Sequence, residues 1–244
     1  MKALFTLFFI FSAPFLYASG SSVTYSANGS QYEGYYISPS KNAPLVLLVH
    51  DWDGLTDYEV KRSQMLADMG YAVFAVDLFG KGVRPTKTAD KRAHTGELYK
   101  DRQKMRKLLN VALATAKSKG ANVSKAVAAG YCFGGAAVLE LARSGADLKG
   151  FVTFHGGLAT PQGQNYNNTK GKVVVFHGTA DKAITMNDFA NLANELEKTK
   201  VRHEMITYSG APHAFTVFGS SRYREEADTK SWKRFSEFLD DTLK

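Results

Sequence analysis

The chain has 244 residues, enough for one hydrophobic core of a single α/β domain. Its single cysteine excludes a disulfide framework, and 21 glycines and 6 prolines with no visible repeat exclude a collagen-like or low-complexity chain. The formal charge of +8 is scattered through the helical stretches rather than massed in a tail, which argues against nucleic-acid binding and leaves a general attraction for anionic substrates or surfaces.

Lys2 precedes an apolar run from Ala3 to Tyr17, broken only by Thr6, Ser12 and Pro14, and small residues follow at Ala18, Ser19 and Gly20. A charged start, an apolar middle and a small-residue cleavage site are the parts of a secretory signal. The expectation is a signal peptide over residues 1–20, cut after Ala18 or Gly20, on a protein that is periplasmic or secreted. An uncleaved anchor is the alternative, but the run is shorter than a comfortable membrane span. No later segment is long and apolar enough to span, so no stable membrane insertion is expected after signal removal. Residues 21–244 are expected to form one domain.

Ser22 to Tyr25 and Gln31 to Ile37 read as strands of an N-terminal antiparallel hairpin, joined by the Asn28-Gly29 turn signal. Leu45 to Val49 is a continuous apolar run, the mark of a strand buried on both faces of a parallel sheet. It ends at His50-Asp51-Trp52-Asp53-Gly54-Leu55. From Asp57 to Gly70, Val60, Met65, Leu66 and Met69 recur at helical spacing, and Tyr71 to Val76 is a second buried strand ending at Asp77-Leu78-Phe79-Gly80-Lys81-Gly82. A polar loop with Pro85 precedes a long helix from about Glu97 to Lys119. Leu98, Met105, Leu108, Leu109, Ala112 and Leu113 share one face of it, so the charges of Lys100 to Lys107 read as the solvated face.

Lys125 to Ala129 leads as a strand into Gly130-Tyr131-Cys132-Phe133-Gly134-Gly135, and Ala136 to Ala142 leads out as a helix. A strand, a sharp turn and a helix, with glycines two before and two after a nucleophile-type residue, make a nucleophile elbow. The bland alternative is a buried, inert thiol at a tight turn. A strand from Gly150 to Phe154 and a polar loop from His155 to Gly171 follow. The strand-like run Val173 to Phe176 then ends at His177-Gly178-Thr179-Ala180-Asp181. A helix from about Asn187, a candidate N-cap, reaches Lys198. The strand Val201 to Tyr208 ends at Gly210-Ala211-Pro212-His213, and a last helix near Lys244 turns Trp232, Phe235, Phe238 and Leu239 inward. Strands alternating with helices mean a mostly parallel central sheet with helices on both faces. Nucleophile, acid and histidine come in the order of an α/β-hydrolase, each in a loop after a strand.

Together, Gly130 to Gly135, His50 to Leu55, the Asp77-Leu78-Phe79-Gly80 strand end, His177 to Asp181 and Pro212-His213-Ala214-Phe215 resemble the dienelactone hydrolase family (carboxymethylenebutenolidase-like) over nearly all the chain from Ser22. The resemblance implies an α/β-hydrolase fold, a small-molecule ester or lactone substrate, no cofactor, and Cys132, Asp181 and His213 as the triad. It also implies Trp52 as a second backbone donor to an oxyanion, beside Phe133, which follows the nucleophile. Two departures stand out. Asp51 occupies the place of a family glutamate that tunes the thiol. Val217 occupies the place of an arginine that binds a substrate carboxylate, and a second such arginine is matched only in charge by Lys81.

Other readings remain open for several residues. Asp51 and Asp53 either tune the thiol or cap the following helix. Lys81 and Arg84 either meet an anionic substrate group or belong to a solvated loop. Trp52, Tyr131 and Phe133 either form an apolar substrate wall or ordinary core. His50, His155 and His177 fall near strand ends, but no ligand-type spacing points to a metal. Two rivals to an ester or lactone hydrolase are a catalytically silent scaffold that binds a small ligand or partner, and a redox-responsive thiol protein.

Overall fold

The computed structural model describes residues 18–244, so all but the last three residues of the expected signal lie outside the described residues. Strand β1 (Ser21–Ala27) and β2 (Ser30–Ile37) pair antiparallel. Their turn places Asn28 at φ 52° and Gly29 at φ 76°, the positive pair that the twist of a two-residue hairpin demands. β2 lies antiparallel on β4 (Ala72–Val76), and from there the sheet is parallel through β3 (Pro44–Val49), β5 (Asn122–Tyr131), β6 (Gly150–Phe154), β7 (Lys172–Gly178) and β8 (His203–Tyr208). The strand order is β1-β2-β4-β3-β5-β6-β7-β8. This is the α/β-hydrolase arrangement, with the hairpin at one edge.

The alternation of side chains along buried strands builds two cores. Leu45, Leu47 and Val49 point to one face, against helices α3 (Arg102–Ser118), α4 (Phe133–Arg143) and α5 (Met186–Lys198). Val46 and Leu48 point to the other, against α1 (Asp57–Asp68) and α6 (Glu225–Leu243). Among the described residues no helix is long and apolar enough to cross a membrane.

Three helices differ from the sequence reading. The long helix expected over Glu97 to Lys119 is two helices, α2 (Thr88–Lys100) and α3, broken at Asp101 (φ −109°, ψ 80°). The Asp101 carboxylate accepts from the Lys104 N–H at 2.8 Å and so caps the second helix while ending the first. Most of the expected polar loop after Pro85 is therefore α2. It escaped notice because it buries only Thr95 and Leu98 and so has no apolar period. Finally, α5 is capped by Thr185 rather than Asn187. The Thr185 hydroxyl receives the Asp188 N–H, while Asp188 Oδ2 accepts from the Thr185 N–H and hydroxyl, a reciprocal capping box.

Candidate active site

β5 ends at Tyr131 and α4 begins at Phe133, which isolates Cys132 between them at φ 51° and ψ −113°. For a residue with a side chain such a conformation costs about 1–3 kcal/mol and persists only where the surroundings enforce it. Here the Cys132 N–H is fixed to the Phe154 carbonyl at 3.0 Å, and α4 is driven hard against the sheet. The flanking glycines permit that approach. A Cβ on Gly134 would lie 2.3 Å from the Val49 carbonyl oxygen, and one on Gly130 would lie 2.4 Å from the backbone of Gly134.

β7 and β8 deliver the other two groups. His213 Nε2 lies 3.1 Å from Cys132 Sγ, and His213 Nδ1 lies 2.7 Å from Asp181 Oδ2. The second oxygen of Asp181 accepts from the N–H groups of Ala183 and Ile184, each at 2.9 Å. Burial alone would raise the Asp181 carboxyl, but the bond from His213 and these two N–H groups outweigh it and hold it below its ordinary value. For His213 burial works against the cation, yet the bond to Asp181 and the contact with Cys132 prevail and carry it up to about 10.

A raised histidine means that folding takes up a proton. The stability this contributes is fully present below about pH 6.5, the ordinary histidine value, and is lost as pH rises through about 10. We expect a ring-proton NMR titration to find His213 cationic through neutral pH. In Cys132→Ala its midpoint should fall, because the thiol contact is gone. A midpoint near the ordinary value in the wild-type protein, or one unmoved by the substitution, would contradict this.

The N–H groups of Trp52 and Phe133 donate to no acceptor among the described residues. The loop that carries Trp52 is braced from several sides. The Leu78 N–H donates to His50 Nε2 at 3.1 Å, which leaves the ring proton on Nδ1, 2.6 Å from the Asp51 carbonyl. Burial lowers His50 to about 4, so it is a neutral brace rather than a titrating group. Lys91 of α2 pairs with Asp53 Oδ1 at 2.5 Å and stands 5.1 Å from the centre of the Trp52 ring.

Asp51 does not cap α1. That helix is capped by Thr56 with Glu59, whereas Asp51 Oδ1 accepts the Asp53 N–H at 2.8 Å and shapes the loop. Burial pushes the Asp51 carboxyl up to about 6, against the opposing pull of the Asp53 N–H and the Lys91 and His213 charges. Tyr131 is not a cleft residue. It is fully buried, its ring stacked 4.8 Å from Phe154 and set edge-on 5.0 Å from Tyr58. Phe133 is buried between Phe79 and Tyr99. Lys81 turns onto the hairpin, donating to Thr24 Oγ1 at 3.3 Å and standing 3.8 Å from Glu33. Arg84 donates to its neighbour's carbonyl, that of Val83, and stands 3.8 Å from Asp77, against the Gly54 end of the Trp52 loop.

The histidine turn is held from beneath by groups without an assigned role in the sequence reading. Thr216 Oγ1 meets His155 Nε2 at 2.8 Å and the Tyr58 hydroxyl at 2.7 Å, and the Thr216 carbonyl accepts from Arg62. Arg62 is itself buried on Asp228 at 2.5 Å. The signal for these partners lay in the fold alone, since 154 residues separate Arg62 from Thr216. A cavity of about 370 Å³ opens among Tyr99, Arg102, Ala136, Gly157 and Ile184. A larger groove of about 970 Å³ runs along α3 at the far end of α4, away from the thiol.

The model of the dienelactone hydrolase family matches residues 32–243. A provisionally named carboxymethylenebutenolidase of Synechocystis sp. is 24% identical over 239 residues, covering 91% of this chain and 96% of the relative. Another of that provisional name, from Saccharolobus solfataricus, is 24% identical over 253 residues, covering 89% and 96%. Among solved structures, a dienelactone hydrolase-like promiscuous phosphotriesterase from metagenomic libraries superposes with a TM-score of 0.86 at 28% identity, over 93% of this chain and 99% of that one.

Proposed function

Because the chain belongs to the dienelactone hydrolase family and is a carboxylic ester or lactone hydrolase, we propose that its chemistry runs through Cys132, His213 and Asp181 by way of a thioester. The observation that carries this reading is the continuous contact Cys132–His213–Asp181 at 3.1 and 2.7 Å, set at a strained strand-to-helix turn. At rest the proton of the Cys132–His213 pair sits on His213, and Asp181 holds the imidazolium in place, so the sulfur is available as the thiolate. The thiolate attacks the carbonyl carbon. The oxyanion that forms is received by the free N–H groups of Phe133 and Trp52, each such donor being worth about 3 kcal/mol of barrier. The adduct collapses with cleavage of the C–O bond, and His213 returns the proton to the departing alkoxide. Water, deprotonated by His213, then attacks the thioester, releasing the acid and the thiolate. An amide adduct would expel the thiolate in preference to the amine, which favours esters and lactones as substrates.

The same proposal places the enzyme outside the cytoplasm, on the strength of the signal pattern over residues 1–20. An unpaired thiol is open to oxidation there, so the test is run under reducing conditions. Protein lacking residues 1–20 is mixed with p-nitrophenyl esters and small lactones, and intact mass is followed during the first turnovers. The expected result is a burst of product with one acyl group on the Cys132 peptide. Turnover with no adduct and no inhibition by iodoacetamide would remove Cys132 from the mechanism. Neither turnover nor adduct would favour a silent scaffold.

A further inference from the structure

We propose that the end of the sheet opposite Cys132 docks on an anionic phospholipid bilayer, through cations delivered by the loops that enter the parallel strands. This holds whether or not Cys132 is the nucleophile. The strands from β3 to β8 all run the same way, so their entry loops lie at one end of the sheet. Cys132, Asp181 and His213 follow β5, β7 and β8 at the other end. The seven residues before each of these six strands hold nine Lys or Arg against three Asp or Glu, whereas the seven after each hold two against four.

Backbone hydrogen bonds knit the entry loops into one row. The Asn42 N–H donates to the Gly120 carbonyl and the Asn122 N–H to that of Ala43, each at 2.9 Å, which sets the Lys41 loop beside that of Lys119. The Lys149 N–H donates to the Ala126 carbonyl at 2.8 Å, and the Lys172 N–H donates to the Lys149 carbonyl at 3.2 Å. The Val173 N–H donates to the Arg202 carbonyl at 2.9 Å and closes the row. Neighbouring strands are about 4.8 Å apart, so β3, β5, β6, β7 and β8 spread the charge over about 20 Å. Lys41, Lys119, Lys125, Lys149, Lys200 and Arg202 are exposed and pair with no acid among the described residues, and Lys170 meets only Asp147, at 3.9 Å. The other acids of this end stand apart. Glu197 lies 3.5 Å from His203, Asp68 ends α1 on the other layer, and Asp240 of α6 accepts there from Tyr71.

Like charges gathered without partners repel one another, and an anionic surface relieves that repulsion. Two observations favour a bilayer over a soluble polyanion. β1 is antiparallel to β2, and β2 to β4, so β1 starts at the cationic end. The apolar run Ala3 to Tyr17, which lies outside the described residues, is thus joined to the protein at that end. The exposed large apolar side chains among the described residues, Tyr99 and Met186, are at the other end, where Tyr99 packs on Phe133 and Met186 opens α5 after β7. The cationic end therefore lacks the aromatic platform on which single-stranded bases stack. Docked through this row, the protein turns Cys132 toward the solution.

Residues 21–244, which hold every strand and helix of the fold, are sedimented with vesicles of phosphatidylcholine alone or mixed equally with phosphatidylglycerol. Binding is expected to the mixed vesicles only, and added salt should weaken it. The variant Lys119→Gln/Lys125→Gln/Lys149→Gln should lower the partition coefficient about 100-fold, each lysine near the surface being worth about fivefold. Lys87→Gln/Lys100→Gln/Arg222→Gln removes the same charge from exposed positions elsewhere and should bind nearly as the wild type does. Melting curves check that both variants are folded. No binding to the mixed vesicles would overturn the proposal. Equal losses in the two variants would also overturn it, by showing that binding follows net charge alone. Retention on heparin that the first variant abolishes, without vesicle binding, would make the partner a soluble polyanion and overturn the bilayer.

Discussion

Replacing Cys132 by alanine is expected to lower kcat/KM for p-nitrophenyl esters by at least about four orders of magnitude, with little change in melting temperature. Removing the nucleophile of a covalent mechanism forfeits the whole stepwise route, and the losses of triad members do not add, so none of the others compensates. On the proposed mechanism the remaining rate is expected to come from the Trp52 and Phe133 N–H groups and from substrate binding, which the substitution leaves intact. Stability should barely move because alanine meets the same φ of 51° that cysteine already tolerates, and the side chain lost is small and only half-buried. The two proteins are assayed side by side after identical purification in reductant. Equal rates would mean that hydrolysis occurs elsewhere and that Cys132 is an inert core thiol. Low rates from an unfolded variant are excluded by the melting curve.

Gly134→Ala is expected to destabilise the fold by about 3 kcal/mol or more, which for a chain of this size lowers Tm by about 6–12 °C. The added methyl would stand 2.3 Å from the Val49 carbonyl oxygen and 2.5 Å from that of His50. Both are backbone atoms at the end of β3, which is hydrogen-bonded to β4 on one side and β5 on the other, so neither can retreat without taking the centre of the sheet along. Activity should fall with stability, since moving the His50 carbonyl also moves Trp52. Gly96→Ala in α2 is the control. Nothing lies within 4 Å of a Cβ there, and the helix should gain about 0.5–1 kcal/mol. Thermal melts of the two variants settle the matter; a Gly134→Ala protein that melts with the wild type would show that the elbow is not packed as described.

The places of Cys132, Asp181 and His213 were legible in the sequence because each is marked locally, by glycine spacing or by the end of an apolar run. So was the sheet, since β3, β4 and β7 are unbroken runs of buried side chains. Pairings across the chain were not legible. Arg102 and Arg106 read as part of a solvated helix face, but both turn onto Glu140, 38 and 34 residues away and buried, which helical periodicity cannot see. Of the two readings left open for Tyr131, substrate wall or ordinary core, its burial selects the core. It is adjacent to Cys132 in sequence, yet side chains on a strand alternate, and its ring enters the α1–α6 core. Lys81 matched a family position in charge, but the Glu33 carboxylate beside it comes from the hairpin. The second helix of the α2–α3 pair was recognised and the first was not, because α2 rests on the protein through only two buried residues.

The sheet order has a consequence for how the protein comes into being. β3 and β5 adjoin at its centre, so the Trp52 and Phe133 N–H groups and the thiol can meet once half the chain exists. His213 lies 81 residues beyond Cys132, on a turn that requires β6, β7 and β8 to be laid down in succession toward the edge. Contacts of such long separation form late, after the cost of closing the intervening chain has been met. Cys132 and the Trp52 loop can thus be assembled while His213 is still unplaced. The Cys132–His213 contact arrives with the last stretch of polypeptide, when little remains to be placed but the closing helix.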